Sequence, residues 1–120
     1  MKIYIAGKIT GDPNYKAKFR RAEKALSKNH TVMNPAILPD GFTHEEYLKI
    51  CFAMIDVCDW VFMLTDWRES KGATAEYHYA QSSWKNILEY KPESFDLIKF
   101  IVKAFKSIFW VFYESKGKMV

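Results

Sequence analysis

The chain is poor in the residues that build metal sites, disulfide frameworks and flexible linkers. Its 120 residues include 2 cysteines, 3 histidines, 4 prolines and 5 glycines, and no CxxC motif occurs. Cys51 and Cys58 are too widely spaced to bridge within one helix, so we expect two buried reduced thiols, as in a cytoplasmic protein. The scattered histidines form no ligand cluster. We therefore expect neither a metal nor an organic cofactor.

Long apolar stretches and a strong charge of one sign are absent as well. No run approaches the ~18 apolar residues of a membrane span, and the first apolar run is too short for a signal peptide. The formal net charge of +4 is modest, whereas a domain that binds a nucleic acid polymer usually carries a denser basic stripe. We therefore expect no membrane and no nucleic acid polymer as partner, and small anions remain open as ligands.

Aromatic residues are the component in excess, at 17% of a chain whose length suits one domain over residues 1–120. Seven of them lie in segment 95–113, as Phe95, Phe100, Phe105, Phe109, Trp110, Phe112 and Tyr113. This concentration favours a homo-oligomer, because a small domain has little surface to hide it. A helix and edge strand that complete the monomer's own sheet, or a membrane-surface helix, are the alternatives.

Strand patterns and helix patterns alternate along the chain. Apolar or β-prone runs lie at 2–6, 31–34, 59–65, 87–90 and 108–113. Helical periodicity begins at Asn14, after a capping box at Thr43–Glu46, near Ala73 and after Pro92. Lys18 and the other charges of the first helix are expected on its solvated face. The pattern predicts an α/β fold: a doubly wound, flavodoxin-like or Rossmann-like parallel sheet of about five strands with helices on both faces.

Two polar loops follow the first and third predicted strands. Ligands of such sheets bind beyond the carboxyl ends of the strands, near the switch in strand order. The first loop, residues 7–13, offers Gly7, Lys8, Thr10 and Gly11, but it lacks the spacing of a phosphate-binding P-loop. It is either part of a ligand site or an ordinary strand-to-helix turn.

The second loop, residues 66–72, carries the more informative pattern. Ser70 and Gly72 stand at the start of a predicted helix, where free N–H groups favour an anion. Glu76 lies one turn further along the same face, where it either reaches a ligand or merely complements the helix dipole. Asp66 ends the third strand, and Trp67 is either an exposed stacking platform for a base or part of a hydrophobic lid.

Several of these motifs together resemble one family. The opening KIYIAGKITG, the later MNPA, and CDWVFML followed by a tryptophan, SKGA and a glutamate resemble the nucleoside 2-deoxyribosyltransferase-like superfamily, in particular its small uncharacterised bacterial and phage branch. The resemblance covers residues 1–90. Residues 91–120 would add a C-terminal helix and an edge strand. The most specific part of the resemblance is the spacing of Trp67, Ser70, Gly72 and Glu76.

The resemblance implies an enzyme, a hydrolase or transferase, that acts on the N-glycosidic bond of a nucleotide or deoxynucleotide. Glu76 matches the glutamate that attacks the anomeric carbon of the sugar and forms a covalent glycosyl–enzyme intermediate. Tyr4 matches a tyrosine that helps to position this glutamate and the sugar. The remaining matches are positions that contact a 5′-phosphate in nucleotide-hydrolysing relatives: Lys8, Thr10, Gly11, Ser70 and Gly72.

One position departs from the family pattern. At Cys51 the characterised relatives have an aspartate, which contacts the sugar hydroxyls or assists departure of the base, and a thiol does neither well. Two functions therefore stay open. The chain is an enzyme with Glu76 as nucleophile, or it is a module that binds a nucleotide or nucleotide signal without turnover.

Overall fold

The centre of the fold is a parallel four-stranded sheet, in a computed structural model that describes residues 1–91. The strands are β1 (Lys2–Ala6), β2 (Thr31–Met33), β3 (Trp60–Met63) and β4 (Asn86–Glu89). Their order across the sheet is β2-β1-β3-β4, and each neighbouring pair is parallel. This order is the flavodoxin-like one, so the predicted doubly wound α/β fold is confirmed. The expected fifth strand at 108–113, and the rest of segment 92–120, lie outside the described residues.

Helices cover both faces of the sheet, as the alternation of apolar side chains requires. Helix α1 (Tyr15–Leu26) packs Phe19, Ala22 and Leu26 with Ile3 and Ile5 of β1. Helices α2 (His44–Asp56) and α3 (Lys71–Ser82) pack on the opposite face, where β1 presents Tyr4 and Ala6. Successive strand residues point to opposite faces, so each strand contributes to two separate hydrophobic layers. Tyr4 is thereby buried beneath α2 and α3.

Two polar side chains set element boundaries that apolar periodicity alone misplaced by a few residues. The Ser70 hydroxyl accepts a hydrogen bond from the Ala73 N–H at 3.1 Å, so α3 begins at Lys71 rather than near Ala73. The Asn34 carboxamide accepts from the Ala36 N–H at 2.8 Å and so ends β2, opening a short 3₁₀ turn at Pro35–Ile37. In both cases a side chain supplies the missing hydrogen-bond partner of a helix start.

The start of α2 agrees with its sequence signature. Thr43 and Glu46 form the predicted capping box, with the Glu46 carboxylate accepting from the Thr43 N–H at 2.8 Å. This fixes His44 as the first residue of α2. Within residues 1–91, no helix has the length and apolar character needed to cross a membrane.

Candidate ligand-binding and catalytic site

A cavity of about 670 Å³ opens at the carboxyl edge of the sheet, beside the ends of β1 and β3. Strand order changes direction between these two strands, so the cavity lies where the topology predicts a ligand. Its walls come from both predicted loops, from the segment that follows β2 and from the starts of α2 and α3. The lining residues are Gly7, Ile9, Thr10, Tyr15, Pro35, Ala36, Leu38, Asp40, His44, Tyr47, Leu48, Cys51, Glu69, Ser70, Lys71, Gly72, Ala73 and Glu76.

The Glu76 carboxylate lies at the inner end of this cavity and is only 7% exposed. The Tyr4 hydroxyl donates a hydrogen bond to its Oε2 atom. Among residues 1–91, no donor contacts the other carboxylate oxygen, Oε1. Burial raises the pKa of Glu76 to about 8, although the Tyr4 hydrogen bond acts in the opposite direction. A buried carboxylate with one oxygen left for a ligand is unusual outside functional sites.

Cys51 lies beside this pair and lines the same cavity. It is a free thiol, 8% exposed, on the inner face of α2. Burial and the nearby Glu76 raise the pKa of Cys51 to about 11, and burial raises the pKa of Tyr4 well above its usual value. Both groups therefore stay protonated and neutral at physiological pH. Cys51 is a polarisable, weakly polar wall next to Glu76 rather than a second carboxylate.

The start of α3 supplies polar groups to the cavity wall, about one helical turn before Glu76. Ser70 caps Ala73, and the Ser70 carbonyl accepts from the Thr74 N–H at 2.9 Å. Within the described part of the chain, the N–H groups of Lys71 and Gly72 donate to no protein acceptor, as expected of a first helical turn. Ser70, Lys71 and Gly72 all line the cavity. An anion at this point would meet two backbone donors and the positive end of the helix dipole.

The two cavity glycines have different structural requirements. A Cβ on Gly7 would lie 2.8 Å from Leu64 Cδ1 and 3.0 Å from Leu64 Cβ, whereas on Gly72 its nearest neighbours are 3.8 Å away. Gly7 therefore permits close packing of the β1 and β3 ends. Gly72 has room within the protein, so its missing side chain leaves space on the cavity side.

This difference predicts opposite stability effects for two alanine substitutions. Gly7→Ala forces the Leu64 backbone or side chain to move, and we expect it to destabilise the fold by ~1–3 kcal/mol. Gly72→Ala introduces no clash and improves helix propensity, so its unfolding temperature should match or slightly exceed that of the wild type. Thermal unfolding of both variants measures the difference, and equal melting temperatures for the two would contradict it.

The predicted phosphate contacts in the first loop are only partly on the cavity wall. Thr10 lines the cavity, whereas Lys8 and Gly11 do not. The Lys8 N–H donates to Asp66 at 3.0 Å, which holds the first loop against the second. Gly11 has a φ of +82°, so its glycine is explained by backbone conformation. A direct ligand role for Lys8 and Gly11 stays a prediction.

Lys18 corrects one expectation, because it is not a solvated charge of α1. Its Nζ atom contacts the Lys8 carbonyl at 2.8 Å, Asp12 at 2.6 Å and also the Asp66 carboxylate. The hydrogen bond from Lys18 lowers the pKa of Asp12. Asp66, predicted as a ligand contact, is thus occupied in bracing the two loops and does not line the cavity. The correction follows from pairing across the fold, which the helix pattern alone does not reveal.

Trp67 is buried, so the interpretation as an exposed stacking platform is wrong. The side chain is 6% exposed and stacks on Tyr77 at 4.4 Å between ring centroids, with the Arg68 guanidinium over its other surface. A 3₁₀ turn at Trp67–Glu69 folds the indole back onto α3. Trp67 does not line the cavity. It packs the turn that presents Ser70.

Sequence reasoning missed four ionisable residues of the cavity wall besides its tyrosines: Asp40, His44, Glu69 and Lys71. His44 is one of the scattered histidines that form no metal-ligand cluster, although the capping box places it at the start of α2. Lys71 lies inside the SKGA motif between Ser70 and Gly72. The available signal for both was their position in the first turn of a helix, next to a predicted loop.

Fold and cavity together define a doubly wound α/β domain with a cavity at the carboxyl edge of its sheet. The chain belongs to the family described as "Domain of unknown function (DUF4406)", whose model matches residues 1–89. Among solved structures it is similar to "2-desoxiribosyltransferase from Leishmania mexicana", with a TM-score of 0.59 and 21% sequence identity. That similarity covers 74% of this chain and 63% of the other chain. No curated protein matches the chain.

The structural similarity confirms the predicted fold relationship to a 2-deoxyribosyltransferase. At this level of identity it concerns the fold alone. Membership of a bacterial and phage branch, a cytoplasmic location, a homo-oligomeric state and the single-domain organisation of residues 1–120 stay predictions.

Proposed function

We propose that the protein cleaves or transfers the N-glycosidic bond of a nucleotide or deoxynucleotide, with Glu76 as the nucleophile. The observation that carries the proposal is the placement of a buried carboxylate and a helix start in one cavity. Within residues 1–91, one oxygen of Glu76 has no protein donor, and the N–H groups of Lys71 and Gly72 in the first turn of α3 have no protein acceptor. The cavity therefore offers a nucleophile and, one helical turn away on α3, groups that suit an anion.

The spacing of these two features fits a sugar phosphate. Gly72 and Glu76 lie four residues apart on α3, which is ~6 Å along the helix axis. In a nucleoside 5′-monophosphate, a similar distance separates the phosphorus from the anomeric carbon, because one exocyclic carbon and the sugar ring lie between them. A 5′-phosphate at the start of α3 would place the anomeric carbon near the Glu76 carboxylate. The cavity volume of about 670 Å³ accommodates a ligand of this size.

The proposed reaction uses the ionised form of Glu76. Its carboxylate oxygen forms a bond to the anomeric carbon as the bond from that carbon to the base nitrogen breaks, and the electron pair leaves with the base. The base then takes up a proton from solvent. Attack by water on the glycosyl ester returns the carboxylate and frees the sugar phosphate, while attack by a second base gives a new nucleotide. Tyr4 acts as a positioning residue, because its hydroxyl holds Oε2 and stabilises the carboxylate.

A binding function without turnover is the second candidate, and Cys51 is the observation that favours it. Its protonated thiol stands beside Glu76, where it supplies neither a negative charge nor a strong acceptor for a sugar hydroxyl. A cavity of this kind can hold a nucleotide or nucleotide signal while the glycosidic bond stays intact.

A panel assay separates the two candidates. The wild-type protein is incubated with ribo- and deoxyribonucleoside 5′-monophosphates, and base release is followed by chromatography while the melting temperature is measured with each ligand. Base release above the no-protein control supports the enzyme. A higher melting temperature without base release supports the binding module, since a ligand that binds only the folded state stabilises it. Neither effect with any nucleotide would overturn both functions.

A further inference from the structure

The start of α2 brings His44 to the same end of the cavity as the start of α3. The His44 Cε1 atom lies 3.8 Å from the position that a Cβ on Gly72 would occupy. The imidazole is exposed and lines the cavity. Nothing in residues 1–91 forms a hydrogen bond or ion pair with it. An unengaged hydrogen-bonding side chain therefore stands within reach of a ligand that contacts Gly72.

The capping box engages polar groups at the start of α2 and leaves the side chain of His44 available to contact a ligand. The Thr43 hydroxyl accepts from the Glu46 N–H at 3.2 Å, and the Glu46 carboxylate accepts from the Thr43 N–H. These bonds hold the first turn of α2 in place and engage its polar groups locally. His44 is thus presented from a rigid helical position instead of a mobile loop, which is what a precise contact to a ligand requires.

A second, independent feature supports a ligand in this cavity. Glu76, more than nine-tenths buried, lines the same space, and one of its carboxylate oxygens has no donor among residues 1–91. Burying a carboxylate costs free energy unless polar partners compensate. The helix start at Gly72 and the imidazole of His44 therefore line the same cavity as a carboxylate oxygen that a ligand could satisfy.

We infer that His44 is a specificity-determining residue that contacts the phosphate of the substrate and makes the site selective for phosphomonoesters over unphosphorylated nucleosides. This inference rests on the proposed function and extends it. The phosphate would be held from two helices, by the backbone donors of α3 and by an imidazole N–H from α2. A hydroxyl at the 5′ position of a nucleoside can use these donors much less well, because it carries no charge.

Binding measurements in the Glu76→Gln protein, where turnover does not interfere, test the assignment. Calorimetry gives the affinities for a nucleoside 5′-monophosphate and for the matching nucleoside. His44→Ala should weaken monophosphate binding ~10- to 100-fold, the usual range for a hydrogen bond to a charged group. Nucleoside binding should change by less than about twofold, because a nucleoside has no phosphate for His44 to contact. His44→Gln keeps a hydrogen-bond donor and should recover part of the lost monophosphate affinity. His78→Ala, on an exposed histidine of α3 outside the cavity wall, is the matched control.

An unchanged ratio of monophosphate to nucleoside affinity in His44→Ala overturns the assignment. This includes an equal loss for both ligands with a lower melting temperature, which would make His44 a structural residue. Failure of the Glu76→Gln protein to bind either ligand also overturns it. Base release by the wild type is scored separately. Release with a ratio insensitive to His44 refutes only the specificity role, whereas no release with a His44-dependent ratio refutes only the reaction.

Discussion

The Glu76→Gln variant is expected to lose base release by at least ~1,000-fold, the scale typical of removing a catalytic nucleophile. An amide oxygen is too weak a nucleophile to form the glycosyl ester, yet glutamine preserves the shape of the side chain and an acceptor for the Tyr4 hydroxyl. The variant should therefore still fold and bind a nucleotide. Chromatography of released base from nucleoside 5′-monophosphates measures the effect. Glu45→Gln, on an exposed residue of α2 outside the cavity wall, should keep wild-type activity.

The same substitution should make the protein more stable at alkaline pH. The pKa of Glu76 is raised from 4.5 to about 8 by burial, so the folded state holds a proton that the unfolded state releases. The stability associated with this proton is fully present below pH 4.5 and is lost as the pH rises toward 8. At about 1.4 kcal/mol for each pH unit, the total loss is on the order of 5 kcal/mol. Glutamine does not titrate and avoids this loss.

Chemical unfolding of wild type and Glu76→Gln at pH 5 and pH 8 provides the comparison. The lowered pKa values of Asp12 and His30 also give pH dependence, but they are common to both proteins and cancel in the difference. The stability gain from Glu76→Gln should be small at pH 5 and large at pH 8. A gain independent of pH would mean that the carboxylate is not desolvated in solution. Full base release by the variant would remove Glu76 from the reaction.

The parts of the site that could be predicted from sequence depend on short-range patterns. The capping box at Thr43 and Glu46, the strand at Lys2–Ala6 and the turn at Ser70 each involve residues close in the chain, and local hydrogen bonding or periodicity determines them. The topology then places the ends of β1 and β3 side by side. Both candidate loops are therefore predictable from the sequence alone.

The parts that could not be predicted depend on pairs distant in sequence. Lys18 reads as a surface charge until Asp66, 48 residues away, is brought beside it. The sequence allows Trp67 to be exposed or buried, and its stacking on Tyr77 in the folded chain decides for burial. Burial of these side chains comes from tertiary packing rather than from residue type. Periodicity therefore located the loops, but it did not separate residues that brace them from residues that face the cavity.

The position of Cys51 limits the charge at the inner end of the cavity. A second carboxylate there would add like-charge repulsion to the desolvation of Glu76 and raise its pKa further. The protonated thiol avoids this repulsion, so Glu76 ionises more easily than it would beside an acid. The hydrogen bond from Tyr4 lowers the pKa of Glu76 in addition. Reactivity of Glu76 near neutral pH consequently depends on Tyr4 more than on any other neighbour.

Tyr4→Phe is therefore expected to shift the pH profile of base release toward higher pH. The loss of one hydrogen bond to a charged group, ~1.5–3 kcal/mol, corresponds to a rise of about one to two units in the pKa of Glu76. In the wild type, kcat/KM should increase with pH up to about 8, because that parameter follows the ionisation of the free enzyme. In Tyr4→Phe it should be ~10- to 100-fold lower at pH 7 and should recover as the pH rises.

The shape of the profile distinguishes this role from a structural one. If the Tyr4 hydroxyl served only packing, Tyr4→Phe would lower kcat/KM by the same factor at every pH, and that result would contradict the positioning role. Tyr79→Phe removes a hydroxyl that donates to Asp56 at 2.6 Å, away from the cavity. It should leave the profile unchanged. Melting temperatures of both variants test whether they stay folded under the assay conditions.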